Sequence, residues 1–441
     1  MLPIMVQNGI TNLVNMLDNI MIGTVGTAEM TGVAITNQLI FVFNLCIFGA
    51  VSGAGIFGAQ FFGKGDYEGV RYTFRFKLLF GGLITLICMG IFLFAGDFLT
   101  GLYLRGEQGV TDPVLTLHCA KDYLRIMLVG LIPFMVVQCY SGTLRESGHP
   151  NLPMIGGVAA VLVNLFFNWV LIFGHLGAPK LGVQGAAIAT VLSRYVELAI
   201  VVLGAHLQTK RYPFMKGALR SLYIPRDLTK KLFLKSLPLM ANETVWSAGV
   251  TTVNMLYATR GLDVVPALNI SQTFWNVFSI AFMAVGAAIA IILGQMLGAN
   301  QLQEAKESSY KLITFSSLIC VLFGGAYFVA AFFIPNAYNV EPEIRETATL
   351  LMQITAVVMP IEAISHATYF TIRSGGKMAV TFIFDCGFMW LVNVALTAIL
   401  CYFTPLPFLL IFLIIQAITL PKAVLGILMV RSGFWVRNIT K

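Results

Sequence analysis

An aspartate in the hydrophobic first segment is the residue of this chain best placed to do chemistry. Asp18 lies in the run MLPIMVQNGITNLVNMLDNIMIGTVG, which contains no lysine or arginine. A charge at the centre of a membrane helix costs about 2.5–3.5 kcal/mol on insertion scales, so a carboxylate there indicates a partner or a function. Polar residues recur beside it at helical spacing, at Asn8, Thr11, Asn12, Asn15 and Asn19. The stripe predicts contact with water, an ion or another polar helix; a helix-packing face held by asparagines is the alternative.

Amide and hydroxyl side chains in two later apolar segments are candidate partners for Asp18. Asn164 and Asn168, in VLVNLFFNWVLIF, are four residues apart and therefore share one face of a helix. Thr190 lies in GAAIATVLS. One carboxylate with amide and hydroxyl oxygens could bind Na⁺, or Asp18 could carry a proton when no metal is bound, because burial favours the protonated form of a carboxyl group. Hydrogen bonding between helices alone is the alternative reading of these three residues.

The second half of the chain carries its own ionisable residues within apolar segments. We predict that they form a second coupling site or line a substrate cavity, with structural ion pairing as the alternative; they are Glu243, Glu362, His366 and Asp385. Lys422 is the expected basic partner of one of these acids. In the first half, Arg194 and Glu197 are three residues apart and are expected to neutralise each other.

Composition places these residues in a membrane protein. The chain has 441 residues, of which 58% are hydrophobic and 11% are charged, whereas about a quarter of the residues in a soluble domain are charged. Apolar runs of nearly membrane-spanning length alternate with short polar links. We predict twelve spans, at about 1–25, 32–61, 74–103, 118–141, 152–174, 184–207, 236–259, 266–297, 308–335, 346–371, 378–402 and 406–430.

The basic residues lie between the hydrophobic segments, so the net charge of +8 indicates topology rather than binding to nucleic acid. Lysine and arginine are concentrated in alternate loops, and this predicts that both termini are cytoplasmic. The longest polar break, 208–235, contains eight of them and is the expected cytoplasmic linker between an N-terminal six-helix lobe, 1–207, and a C-terminal six-helix lobe, 236–441. The seven cysteines are scattered, and neither a disulfide framework nor a metal site is supported.

The two halves repeat in sequence. LPIM at Leu2–Met5 matches LPLM at Leu237–Met240, and the prolines are 238 − 3 = 235 residues apart. The same offset relates Gly26 to Gly261, Val42 to Val277, Phe43 to Phe278, Gln60 to Gln295 and Gly63 to Gly298. Six helices followed by six helices of the same sense predict a parallel repeat, and such halves usually enclose a central site with alternating access.

These motifs together resemble the multidrug and toxic compound extrusion (MATE) transporter family, and within it the bacterial DinF-like branch. The resemblance covers essentially the whole chain. It is carried by LDNIMIGTVG at Leu17–Gly26, AITNQ at Ala34–Gln38, GAQFFGKGD at Gly58–Asp66, LRESGHP at Leu144–Pro150 and GAAIAT at Gly185–Thr190. LPLMANE, GQMLGAN and IRSGGK repeat several of these in the second half.

The resemblance implies an all-α, V-shaped pair of six-helix lobes and drug efflux driven by inward flow of Na⁺ or H⁺. The family's first-helix aspartate falls on Asp18, and its asparagine and threonine of the fifth and sixth spans fall on Asn164 and Thr190. Some members carry a second aspartate where this chain has Asn168, which weakens the case for tight Na⁺ binding. Glu243 is similar in placement to a seventh-helix carboxylate that another branch uses.

The sequence therefore predicts a monomeric secondary antiporter, not an enzyme, in a bacterial inner membrane. It would export small amphipathic, cationic compounds in exchange for H⁺ or Na⁺ and needs no other cofactor. Candidate residues of the substrate cavity are Asn15, Asn37, Gln38, Gln272, Trp246 and Trp275.

Two other functions remain open. A lipid-linked oligosaccharide flippase of the same superfamily would be expected to have several cavity arginines, but Arg194 is the only arginine clearly within a predicted span. An integral-membrane enzyme such as a prenyl transferase would need clustered aspartates, and no DDxxD-like run exists in the sequence.

Overall fold

A computed structural model of the chain describes residues 3–7, 9, 18, 21–106, 112–261, 264–338 and 340–441, and every regular element in these ranges is a helix. The described residues of the first span, Asp18 among them, are helical. Six helices follow in the first half: α1 Thr27–Gly63, α2 Tyr67–Gly106, α3 Pro113–Val129, α4 Leu131–Glu146, α5 Asn151–Phe173 and α6 Val183–Leu207. The second half contains α7 Arg226–Ala258, α8 Val264–Phe278, α9 Ile280–Gly298, α10 Leu302–Ala330, α11 Pro342–Ser374, α12 Met378–Phe403 and α13 Phe408–Arg431.

The predicted all-α membrane fold is confirmed. Within the described ranges, nine helical segments are long and apolar enough to cross a membrane, and a tenth results if α3 and α4 are one span bent by 48°. Gly130 lies at this bend and Pro133 lies in the first turn of α4. A glycine followed closely by a proline, which lacks a backbone N–H, accounts for the break. Helix α7 is not among the nine, and the polar residues Asn242, Glu243 and Asn254 lie in its predicted span.

The chain divides into two compact units. The N-terminal unit extends to Gly58 and resumes over Asp66–Met240, whereas the C-terminal unit comprises Ala59–Gly65 and Ala241–Lys441. The predicted linker, 208–235, thus groups with the first half. Arginine side chains of α2 hold it there: Arg71 Nε donates to the Phe214 carbonyl at 3.1 Å, and Arg75 Nε donates to the Ala218 carbonyl at 2.8 Å.

The end of α1 belongs to the C-terminal unit because a buried glutamine hydrogen-bonds there. Gln60 Nε2 donates to the carbonyls of Ser374 and Arg437 at 3.0 and 3.2 Å, and its Oε1 accepts from the Ile439 backbone N–H at 2.8 Å. One side chain thereby connects α1, the end of α11 and the C-terminal segment. Its backbone carbonyl lies where a Cβ on Gly298 would project.

Equivalent positions of the sequence repeat meet in the C-terminal unit. A Cβ on Gly298 would overlap the carbonyl of Gln60, and a Cβ on Gly63 would overlap the carbonyl of Gln295, the repeat equivalent of Gln60. Ala59 lies against Gly294, which is its own equivalent at the offset of 235. Reciprocal contacts of this kind are those of a local two-fold relation. In this segment, residues at equivalent positions of the sequence repeat therefore also pack against each other.

Replacing Gly298 with alanine is expected to destabilise the protein, because the added methyl group must displace the backbone of α1. Overpacking of a tight contact costs about 1–3 kcal/mol. The matched control is Gly90→Ala in α2, where a Cβ would meet nothing within 4 Å. Thermal unfolding in detergent should show a lower Tm for Gly298→Ala and a Tm close to that of the parent for Gly90→Ala. Equal melting temperatures for the two variants would contradict the close contact.

Candidate functional site

Two asparagines of α5 surround the carboxylate of Asp18. Asn168 Nδ2 donates to Asp18 Oδ1 at 2.5 Å. The Asn164 amide makes most hydrogen bonds when its nitrogen faces Asp18; it then donates to Oδ1 and Oδ2 at 2.9 and 3.1 Å, and its oxygen lies 3.3 Å from Thr190 Oγ1. The structure therefore brings together all four residues predicted to bind the coupling ion.

Helix α5 can place two amides on one carboxylate because Asn164 and Asn168 are one turn apart. Both side chains are buried, with exposed fractions of 5% and 1%. The rest of α5 is almost entirely apolar, so the two amides are the polar groups that this helix offers to Asp18. A buried amide without a hydrogen-bonding partner is unfavourable, and the carboxylate supplies an acceptor for both.

Asp18 opens onto a cavity of about 330 Å³ in the N-terminal unit. The cavity also contains Asn37, a predicted cavity residue, and Thr190. Three further polar residues of its lining were not predicted as cavity residues: Asn44, Tyr123 and Arg194. Among the residues that the structure describes, no lysine or arginine lies within 4.0 Å of the Asp18 carboxylate. Its close partners are therefore neutral.

Several predictions about the first half have other outcomes. Arg194 and Glu197 do not form an ion pair within 4.0 Å, and Arg194 Nη1 donates to the Gly130 carbonyl at 3.0 Å; their mutual neutralisation stays a prediction. That carbonyl lies at the break between α3 and α4, so a bend in the chain provides a closer acceptor than the next helical turn. Gln38 is exposed and does not line this cavity. Asn15 lies outside the described residues.

Two acids of the C-terminal unit are paired with fixed cations. Asp385 Oδ1 lies 3.0 Å from Lys422 Nζ, which confirms the predicted basic partner. Asn242 Nδ2 also donates to Asp385 Oδ2 at 3.3 Å. Glu243 Oε1 lies 4.0 Å from Arg373 Nη1. Asp385 lies in a π-helical stretch of α12, Ile383–Gly387, and such distortions are frequent at functional sites.

A second cavity, of about 200 Å³, lies in the C-terminal unit and is lined by Glu362, Gln272 and Trp275, among others. Glu362 Oε1 is 3.8 Å from His366 Nε2. Trp246, Glu243, His366 and Asp385 do not line either cavity. Of the predicted acids of the second half, Glu362 thus lines a cavity, whereas Glu243 and Asp385 lie in partly buried ion pairs.

Comparison with known proteins identifies the family. The family model named MatE matches residues 3–170 and 238–399. The chain is 26% identical to a "Probable multidrug resistance protein NorM" of Thermotoga maritima, over 87% of this chain and 81% of the relative. It is 23% identical to a "Probable multidrug resistance protein YoeA" of Bacillus subtilis, over 92% of this chain and 86% of the relative.

Solved structures agree with this assignment. A crystal structure of MATE in its straight conformation is similar to this chain with a TM-score of 0.87 and 19% identity, and the match covers 98% of this chain and 94% of the other. The predicted resemblance is confirmed at the level of the family, while the DinF-like branch stays a prediction. The chain belongs to the MatE family and is a multi-pass membrane transporter, not an enzyme.

Proposed function

We propose that this protein is a secondary antiporter that exports small amphipathic, cationic organic compounds in exchange for H⁺ carried by Asp18. The observation that supports this most directly is the set of contacts around Asp18: a buried carboxylate with neutral amide partners, at the wall of a cavity. The names of the relatives, which describe multidrug resistance proteins, support the class of cargo. The protein acts as a monomer in a bacterial inner membrane with both termini in the cytoplasm.

The contacts of Asp18 favour a proton over Na⁺ as the coupling ion. Sodium would need several oxygen ligands, and Asp18 is the only acid among the four residues predicted to bind the ion. Asn168 donates its amide N–H to the carboxylate, and Asn164 does so in its better hydrogen-bonded orientation. These N–H groups favour the ionised carboxylate, while burial in an apolar surrounding favours the protonated acid. Because the two effects oppose each other, Asp18 can exist in either form. The C-terminal acids Asp385 and Glu243 are different, since each has a basic side chain, Lys422 or Arg373, beside it.

Protonation of Asp18 changes its contacts with α5. An ionised carboxylate only accepts hydrogen bonds, whereas a protonated carboxyl group has one oxygen that donates. That oxygen is a weaker acceptor for the amide N–H groups of Asn164 and Asn168, and its O–H group needs an acceptor of its own. The contacts between Asp18 and α5 therefore depend on the bound proton. Export follows if cargo and proton favour opposite states.

Replacing Asp18 with asparagine is expected to abolish ion-driven efflux, because the amide side chain cannot take up a proton. Efflux of the cationic dye rhodamine 123 would be measured from proteoliposomes under an imposed H⁺ or Na⁺ gradient. Glu243→Gln should retain ion-driven efflux, since its partner is Arg373. Asp97→Asn is the control for loss of an acid, because that side chain is 67% exposed.

The outcomes separate the alternatives. Efflux by Asp18→Asn at the parent rate would refute coupling at this residue, and efflux driven by Na⁺ alone would refute the proton. Loss of efflux in Glu243→Gln would place coupling in the C-terminal unit. If neither gradient moves any tested cation, transport of a lipid-linked substrate becomes the function to test.

Asp385 has a basic partner and Asp18 has neutral partners, so replacing each with asparagine is expected to have opposite effects on stability. Asp385→Asn leaves Lys422 buried without its counter-charge, and breaking a buried ion pair costs about 3–5 kcal/mol. Removing both charges with Asp385→Asn and Lys422→Met should restore much of the lost stability. Asp18→Asn strands no cation and should keep or raise the Tm. Thermal unfolding of the purified variants tests this, and a double variant less stable than Asp385→Asn alone would contradict the pairing.

A further inference from the structure

The cavity beside Asp18 contains a second fixed charge that the coupling mechanism does not use. Arg194 of α6 lines the same cavity of about 330 Å³ as Asp18. Its Nη1 donates to the Gly130 carbonyl at 3.0 Å, and its guanidinium carbon lies 5.0 Å from the centre of the Phe134 ring. The backbone contact and the ring thus hold the guanidinium at the break between α3 and α4.

No acid forms a close ion pair with this guanidinium within the described part of the chain. Neither Glu197, one turn along α6, nor Asp18 lies within the 4.0 Å of an ion pair. Its Nε and Nη2 form no hydrogen bond with described residues. Neither atom is among the described atoms that are both buried and without a hydrogen-bond partner. By contrast, Nε of Arg145 is buried and has no hydrogen-bond partner among the described residues. The free donors of Arg194 are therefore accessible from the cavity.

The cavity consequently presents two opposite charges at separate points. Polar side chains of Asn37, Asn44 and Tyr123 share the wall with the apolar side chains of Phe41 and Met127. The buried Oδ1 of Asn44 has no hydrogen-bond partner among the described atoms. An arginine in a poorly solvated site favours a partner that is anionic and planar, because the guanidinium fork matches a carboxylate with two parallel hydrogen bonds.

We propose that Arg194 is a specificity-determining residue that binds a carboxylate of the cargo, so that this cavity selects amphoteric compounds. This inference rests on the proposed export function and refines its class of cargo. The cargo has an apolar aromatic body, a cationic group directed toward Asp18 and a carboxylate directed toward Arg194. Protonation of Asp18 removes the first attraction and leaves the second, since an arginine remains charged in proteins. Proton binding therefore reduces the charged contacts between cargo and cavity from two to one.

Two dyes with the same ring system test the proposal. Rhodamine 110 carries a free carboxylate beside its cationic xanthene, whereas rhodamine 123 is the methyl ester and carries only the cation. Binding of each dye to the purified protein in nanodiscs would be measured by fluorescence polarisation. Arg194→Gln is expected to weaken binding of rhodamine 110 by about tenfold or more, the range of a hydrogen bond to a charged group. It should not weaken binding of rhodamine 123, because loss of a positive charge from the cavity favours a cation.

Two further variants control for charge and for folding. Arg125→Gln removes an exposed arginine of α3 and should change neither dye. Arg194→Lys retains the charge without the planar fork and should recover part of the preference for rhodamine 110, even if Arg194→Gln proves unstable through loss of the contact with Gly130.

The binding and transport results decide different questions. The proposal is overturned if the parent does not bind rhodamine 110, or if Arg194→Gln and Arg194→Lys weaken both dyes equally. Efflux of rhodamine 123 from proteoliposomes reports on the export function separately. A parent that binds rhodamine 110 through Arg194 but exports neither dye would support the site and refute the export function.

Discussion

A charge buried in a membrane needs a counter-charge or hydrogen-bonding partners. Which of the two each acid has determines what that acid can do in this protein. Asp385 and Glu243 have the basic partners Lys422 and Arg373. Asp18 is matched by the neutral amides of Asn164 and Asn168. Neutral partners provide hydrogen bonds to the carboxylate but no counter-charge. An acid with neutral partners can therefore gain and lose a proton without leaving a buried cation unpaired.

The internal repeat preserves packing but not this chemistry. Gly63 and Gly298 keep their close contacts at the offset of 235. The same offset carries Asp18 to Val253, since 18 + 235 = 253, and it carries Glu243 back to Asn8. A glycine at a tight helix contact has no substitute without backbone displacement, which explains why both copies keep it. The two halves can therefore share a scaffold, while the coupling proposed for Asp18 belongs to the first half alone.

The sequence predicted the part of the site that depends on spacing along one helix. Asn164 and Asn168 had to share a face, and a buried aspartate had to find polar partners, so their meeting follows from local rules. The membrane helices were predictable for the same reason, from length and apolarity. The surroundings of Gln38 and the hydrogen bond of Arg194 could not be predicted because they depend on tertiary structure. The guanidinium of Arg194 reaches a carbonyl at the Gly130 bend, and no spacing within α6 reveals an acceptor on another helix.

The position of Arg194 also bears on how one carboxylate can drive transport. While Asp18 is ionised, the charges of Asp18 and Arg194 sum to zero in their cavity, and protonation of Asp18 leaves a net positive charge there. In a poorly solvated cavity, that change acts directly on a bound cation through its charge, in addition to any rearrangement of the first helix. Under the proposed mechanism, proton and cationic group compete for the same carboxylate, and the charge of Arg194 makes the protonated cavity repel a cation. Competition of this kind would supply the opposed preferences that antiport requires, without a second titrating residue.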